Sequence, residues 1–504
     1  MKQSRRDFIK KSTIGAIAAT TSLTGLTSAK NAIFAANADS IGVDSLGTYK
    51  FNRQIPVDKE YDIIVVGGGP AGVGAAIAAA RLGAKVLMIE ATGCLGGMGT
   101  SGLVTAFDPM ANGETMLVGG IMREIVMKLY ERGFLGPGQK PEVFLKRYHH
   151  WTPFSLEGYK LLLDEMVAEA GIEVRFFTKV IGADADPKKG IVNGVIQQNI
   201  EGMRFVKAKK YVDCTGDAVL SDMCGVVCFE AGKDSPNIMP STLCSHFANI
   251  DYSRYNYVGT GSPLLNKAIA DGHFTQPDRH LPGISRTGKT IGYLNGGHIF
   301  GLNSLNCESM TNGMILGRKV VQEYVSFYQK YVPGFENAEL VTTGSIMGVR
   351  ESRRIQGEYQ LNYEDYQARR EFPDQIGVFC KSVDIHPYDD SEDEFKRHIK
   401  EYEQTARIKH GEQFGIPYSI LVPKGWSNLW VAGRCSSSDV SVQGSIRVQP
   451  SANMMGQAAG TAAVQSIKTG QPANDLNTET LILTLREQGA YLPQKTLSPK
   501  MSHR

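Results

Sequence analysis

An α/β fold organised around a parallel, Rossmann-like dinucleotide-binding sheet is predicted by three features of the chain. A β-branched run, Asp62-Ile63-Ile64-Val65-Val66, enters the turn Gly67-Gly68-Gly69-Pro70-Ala71-Gly72. An alanine-rich helical stretch follows, roughly Ala71 to Leu82, and stops at Gly83. A second apolar run, Lys85 to Ile89, ends on the acidic Glu90. Strand, G-x-G-x-x-G turn, small-residue helix, strand and acid in this register suit a dinucleotide.

Each piece has a mechanical task. Gly67 permits the tight turn out of the strand, and Gly69 lets a pyrophosphate approach the backbone. Gly72, with Ala76 and Ala80 beyond it, lets the helix lie close to the sheet. Pro70 and Ala71 open that helix, whose N-terminus offers N–H groups and a partial positive charge to phosphate. The Glu90 carboxylate accepts from ribose hydroxyls and repels a 2′-phosphate.

Later segments extend the site. Gly93-Cys94-Leu95-Gly96-Gly97-Met98-Gly99 supplies backbone to run along an extended ligand, with Gly97 and Met98 as candidates. Residues 191–213 read as a hairpin, Ile191 to Gln198 and Arg204 to Asp213, that leads into Cys214-Thr215-Gly216-Asp217. Val180, Gly216 and Asp217 join the candidate cofactor-binding set. Far downstream, Asn428 to Arg434 reads as a strand ending in Gly433 and Arg434. A small-residue helix from about Ser451 to Ile467 then offers its N-terminus to the ligand. A site assembled from both chain ends suits FAD, which is long, better than NAD. Gly259-Thr260-Gly261 lacks strand and helix context, so no second nucleotide domain is expected.

The first 38 residues read as an address. Ser4-Arg5-Arg6-Asp7-Phe8-Ile9-Lys10 precedes a weakly apolar run, Thr13 to Leu26, and Ala36-Asn37-Ala38 follows. The pattern resembles a twin-arginine signal peptide, which implies export of the folded, cofactor-loaded protein to the periplasm with the twin-arginine translocase as partner. The run is too short and polar to anchor stably in a bilayer.

Bulk composition is ordinary for a soluble globular protein, and the length suggests two or three subdomains. The 504 residues are 42% apolar and 21% charged, with 55 glycines. Net charge is +3, but residues 1–38 carry six of the basic groups and one acid, leaving 48 basic and 50 acidic residues. No nucleic-acid face is implied. Of eight cysteines, Cys224 and Cys228 lie four apart and can share a helix face, without the histidines a zinc site needs. No metal is therefore expected, and Cys94 has no partner spaced for disulfide-reductase chemistry.

Organisation along the chain is expected as follows: a linker over 39–58; the first part of the FAD-binding domain over 59–235; an α+β cap or substrate domain over 236–420; the second FAD-binding part over 421–470; and a tail over 471–504. Within these, Ser155 N-caps a helix that stops at Gly171, Asp389 to Glu403 is a solvated surface insertion, and Thr478 to Gln488 is a helix.

Four residues are candidates for chemistry. Arg350 and Arg354, one helical turn apart, would share a face and grip a carboxylate, or else pair with Glu351 and Glu358. His298, in Asn295-Gly296-Gly297-His298, is a candidate acid or base or a point of flavin attachment, and His386, in Asp384-Ile385-His386-Pro387, a similar candidate acid or base. His149-His150-Trp151 could line a ligand pocket, with packing the favoured reading.

Three stretches carry a family resemblance. They are Tyr61 to Val104; Tyr331-Val332-Pro333-Gly334-Phe335-Glu336-Asn337-Ala338 with Gly348 to Tyr359; and Leu421 to Gly425 with Leu429 to Arg434 and Gly444 to Gly460. On these the chain resembles the FAD-dependent oxidoreductase family, related to the fumarate reductase and glutathione reductase type of FAD fold. The resemblance implies a glutathione reductase-type FAD domain with an inserted cap and an active site between them. It implies that Gly67, Gly69, Gly72, Glu90, Gly97, Gly433 and the turn before the last long helix touch FAD. Two departures stand out: Cys214 where the family often has Ala, and Gln449 where it often has Met. The function expected is oxidation or reduction of a small organic substrate, of carbohydrate or carboxylate class. The alternative is an accessory flavin-binding protein that passes electrons to a partner.

Overall fold

A computed structural model describes residues 52–493. The signal-peptide expectation and most of the 39–58 linker lie outside the described residues, as does the end of the tail. Among the described residues no helix is long and apolar enough to cross a membrane.

The parallel sheet has five strands: β1 (Tyr61–Val66), β2 (Val86–Ile89), β3 (Glu173–Arg175), β4 (Ala208–Asp213) and β5 (Leu429–Val431). Their spatial order is β5-β4-β1-β2-β3, with every pairing parallel. Val65 stands opposite Met88 on one side and Val212 on the other, and Val212 opposite Trp430. Both faces of β1 are covered, which is why its residues are apolar without alternation. Trp430 is fully buried; its indole N–H donates to the Tyr418 hydroxyl (2.8 Å), which donates to Ala473 O (2.9 Å).

Helix α1 (Pro70–Arg81) follows the glycine turn, and helix α2 (Gln449–Thr469) comes from the other chain end. They touch backbone to backbone. A Cβ on Gly456 would collide with the Ala71 carbonyl, and one on Gly460 with that of Ala75. Every residue of α2 from Gln449 to Ser466 is buried, the pattern of a helix enclosed on all sides.

The expected hairpin forms, Ile191–Asn199 against Gly202–Val206, with Lys179–Asp186 as a third strand. Its second arm ends at Val206; Ala208–Asp213 joins the parallel sheet instead. Ser155 caps the helix Leu156–Glu169 by accepting from the Gly158 N–H (3.2 Å). Cys224 ends a short helix and Cys228 begins a strand, so they share no helix face.

The inserted segment carries a four-stranded antiparallel sheet, ordered Ile284–Arg286, Gly292–Leu294, Ser245–Ala248, Glu339–Thr343, and the 25-residue helix Cys307–Tyr331. Its apolar cluster runs from Leu243 to Val349. Within the stretch 236–420 expected as cap, apolar residues between Leu361 and Ile420 instead pack into the cluster that contains α1 and α2.

Candidate functional site

The C-terminal ends of β1, β4 and β5 open onto one cavity of about 420 Å³. In open parallel sheets this edge is where ligands bind. Gly67 leaves β1 with φ +96°, and a Cβ there would lie 2.5 Å from Cys214 O, so the turn and the end of β4 approach as only glycine allows. Gly69 is the N-cap of α1 and brings no capping side chain. A Cβ on it would meet nothing within 4 Å.

Glu90 is buried, and its carboxylate is held by three donors. Gly68 N–H donates to Oε2 (2.6 Å), while the Thr92 N–H and hydroxyl both donate to Oε1 (2.7 Å each). This fixes the acid against the turn. At the start of α2 the Gln449 amide donates to Val104 O (2.7 Å) and Ala106 O (3.2 Å), and its Oε1 is buried with no partner. Arg434 donates to Gly216 O (2.9 Å), Val349 O (2.8 Å) and Asp217 Oδ1 (2.5 Å), tying three lining segments together.

Of the sequence-derived cofactor candidates, Gly67, Gly69, Pro70, Ala71, Glu90, Gly97, Met98, Gly216, Asp217, Gly433 and Arg434 line the cavity. Three do not. Gly72 faces the Gly67 carbonyl, so it permits the turn rather than touching a ligand. Val180 lies in the small antiparallel sheet, buried in the cluster on the far side of the sheet from α1. Ser451 is fully buried and donates to Ile446 O (2.7 Å), stitching the helix start.

The cavity's other end is charged. Lys381 Nζ pairs with Asp108 Oδ2 at 2.6 Å, and Asp108 Oδ1 is buried without a partner. Arg447 pairs with Asp384 Oδ2 at 3.0 Å. Arg350 differs: its guanidinium donates to Pro240 O (2.8 Å), Thr242 Oγ1 (2.9 Å) and Asn295 Oδ1 (3.5 Å), all neutral. Burial, then the neighbouring Arg447, lower its pKa to about 10, which leaves it charged at neutral pH. Among the described residues it is a lining cation without a carboxylate in hydrogen-bond reach.

Arg354 does not join it. The segment is extended, with Arg353–Ile355 paired to Cys228–Glu230, so Arg350 and Arg354 share no helix face. Arg354 is wholly buried in ion pairs with Asp234 and Glu351 and donates to Ser438 O (3.1 Å). Glu358 instead accepts from the Gly425 N–H.

His386 lines the cavity. His298 stands one layer behind, its Nε2 2.9 Å from His386 Nδ1 and its Nδ1 3.1 Å from Asp278 Oδ2. Set behind the wall, it is not placed for flavin attachment. His280 lies nearly parallel to His298, with ring centroids 5.1 Å apart. Burial, then His298, lower the His280 pKa to about 3; burial, then Arg350, push that of His386 well down. His398 is buried nearby, so the Asp389 to Glu403 stretch is not wholly a solvated insertion.

Sequence reasoning missed Asp108, Lys381, Asp384, Arg447 and His280, and favoured packing for Trp151, which lines the cavity. One signal was available: Asp278-Arg279-His280 and Asp384-Ile385-His386 share the spacing D-x-H.

The arrangement fits an extended dinucleotide. Glycine backbone and an uncapped helix end offer donors to a pyrophosphate, Glu90 offers acceptors to a ribose, and Gln449 Oε1 is an orphaned acceptor at the start of α2. A family model described as FAD dependent oxidoreductase matches residues 62–485. Dihydrolipoyl dehydrogenase of Trypanosoma brucei brucei is 53% identical over 47 residues, which is 9% of this chain and 10% of that enzyme's length. Among solved structures, a geranylgeranyl bacteriochlorophyll reductase-like protein of Thermoplasma acidophilum aligns over 86% of this chain and 84% of its own, at 14% identity and TM-score 0.44. p-Nitrophenol 4-monooxygenase of Pseudomonas putida aligns over 85% of this chain and 82% of its own, at 12% identity and TM-score 0.44.

Proposed function

Since the chain belongs to the FAD dependent oxidoreductase family, we propose that it oxidises or reduces a small organic carboxylate beside FAD, in the periplasm. FAD, when bound, supplies the two-electron step; the protein supplies placement and charge. The turn from Gly67 to Ala71 and the α1 N-terminus hold the pyrophosphate, and Glu90 holds the adenosine ribose.

One observation supports a carboxylate over a neutral carbohydrate: Arg350 lines the cavity with only neutral hydrogen-bond partners. A buried cation so placed gains most from an anionic ligand, and its fork can grip both carboxylate oxygens. Asp108 Oδ1, orphaned beside Lys381, can accept a proton from a substrate hydroxyl. Periplasmic residence rests on the signal pattern from Ser4 to Ala38, and the double substitution Arg5→Lys, Arg6→Lys should trap the protein in the cytoplasm.

The test is anaerobic bleaching of the flavin by hydroxycarboxylates and by neutral sugars of similar size. Carboxylates should bleach it, and Arg350→Met should raise their KM about 10- to 150-fold, the worth of one charged hydrogen bond. Equal rates with neutral sugars, or an unchanged KM in the variant, would overturn the carboxylate assignment.

A further inference from the structure

We propose that His280, His298 and His386 form a binding site for one divalent first-row transition-metal ion, Zn²⁺ foremost, in the wall of the cavity. The three side chains come from separate stretches of chain, and one nitrogen from each lies within 4.8 Å of the other two. A tetrahedral zinc with bonds of about 2.0–2.1 Å holds its nitrogens about 3.3 Å apart. The closest pair, at 2.9 Å, opens slightly to admit the ion, and the wider distances close by side-chain rotation.

The carboxylates around the rings favour a cation at their centre. Asp278 Oδ2 faces His298 Nδ1 at 3.1 Å, and Asp384 Oδ1 faces His386 Nε2 at 3.6 Å. A metal-bound histidine characteristically gives its outer N–H to a carboxylate, which fixes the tautomer. Neither contact is a formed hydrogen bond as it stands, since His298 Nδ1 is buried without a hydrogen-bond partner and 3.6 Å separates His386 from Asp384. A small ring rotation that turns both outer N–H groups onto these carboxylates leaves the inner nitrogens, His298 Nε2 and His386 Nδ1, both presenting lone pairs. Two lone pairs 2.9 Å apart repel unless a cation stands between them. A shared proton would serve two rings, but the third ring, His280, brings a nitrogen that a proton does not need.

Charge balance points the same way. Asp278 is buried; the His280 and His298 backbone N–H groups donate to its carboxylate (2.9 and 3.2 Å), and the His298 imidazole stands 3.1 Å away. Those backbone donors satisfy hydrogen bonds but leave the carboxylate's charge in a buried setting, and a dication beside the imidazoles would balance it. Nitrogen-only ligation suits zinc and its first-row neighbours rather than magnesium or calcium, which take oxygen. Three protein ligands leave a fourth position open to water or another ligand. The proposal does not depend on the substrate class.

The experiment uses the full FAD-loaded chain, stripped with a chelator and then dialysed against Zn²⁺ or Co²⁺. Elemental analysis should find about one ion per chain. X-ray absorption at the zinc edge should show nitrogen at about 2.0–2.1 Å and no sulfur. His280→Gln and His298→Gln should each weaken metal binding about 100-fold or more, with flavin content and circular dichroism as folding controls. The site is refuted if the wild-type protein, with its flavin in place, retains neither ion at micromolar free metal. It is equally refuted if absorption shows sulfur or only oxygen ligands, a readout that stands even if both variants fail to fold. Wild-type protein that binds no metal would leave a proton-shared histidine pair in its place.

Discussion

Gly69→Ala should separate cofactor binding from folding. The residue has φ −67° and ψ −175°, a conformation alanine adopts without strain. An added Cβ meets no protein atom within 4 Å, yet Gly69 lines the cavity at the mouth of α1. The methyl therefore occupies space the fold leaves open, the space a pyrophosphate needs in order to reach the first-turn N–H groups. Displacing the phosphate forfeits one or two charge-assisted hydrogen bonds, each worth about 1.5–3 kcal/mol. A loss of about 3 kcal/mol raises the Kd for FAD about 150-fold. Apoprotein stability should fall by no more than about 1 kcal/mol: alanine is a clearly poorer N-cap than glycine, and its smaller unfolded-state entropy offsets part of that loss. Flavin-fluorescence quenching on titration into apoprotein measures the first quantity, and urea unfolding of the same preparation the second. Gly72→Ala is the contrast: its Cβ would collide with the Gly67 carbonyl, so it should fail in folding as well. If Gly69→Ala binds FAD within about threefold of wild type, the phosphate does not lie against this turn.

Gly456→Ala drives a methyl into the Ala71 carbonyl and should destabilise by at least about 3 kcal/mol, with flavin lost on purification, as read by thermal unfolding and the absorbance ratio. Trp430→Phe removes a donor to Tyr418 and part of a fully buried ring; urea unfolding should show a loss of about 2–4 kcal/mol. His246 is buried against Thr105, at 3.0 Å, and burial lowers its pKa to about 4. Unfolded, it takes a proton near pH 6.5, so acidification between there and pH 4 favours the unfolded chain. Its contribution is intact above pH 6.5 and declines below it by up to about 1.4 kcal/mol per pH unit; His246→Asn should show a shallower acid limb in stability against pH.

The cofactor half of the site was legible because its signals are local. From Asp62 to Glu90 the strand, turn, helix and acid are contiguous, and each residue's role follows from its neighbours in sequence. The cap was less so. Its strands Ile284–Arg286 and Gly292–Leu294 have three residues each, too short to show alternation. Arg350 and Arg354 read as one helix face because their spacing allows it, but Cys228–Glu230, far away in sequence, claims Arg353–Ile355 as a strand partner. Long-range pairing overrides local spacing, and nothing within the segment announces it. The histidine group is harder still, drawn from positions 280, 298 and 386, with only the repeated D-x-H as a trace.

The stretch from Gly348 to Arg354 joins the two halves of the site. Arg350 is pinned through its guanidinium to Pro240 and Thr242, whose neighbour Leu243 begins the cap cluster. Its carbonyl accepts from Gln443 Nε2 (2.8 Å), in the helix just before α2, and the adjacent Val349 carbonyl accepts from Arg434, just after β5. The group proposed to hold the substrate is thus suspended between the cap on one side and the cofactor cradle on the other. A displacement of either moves Arg350 relative to the glycine turn and the start of α2. Because α2 and α1 are in backbone contact, the cradle side of this suspension is stiff, so any adjustment to a substrate must come from the cap side.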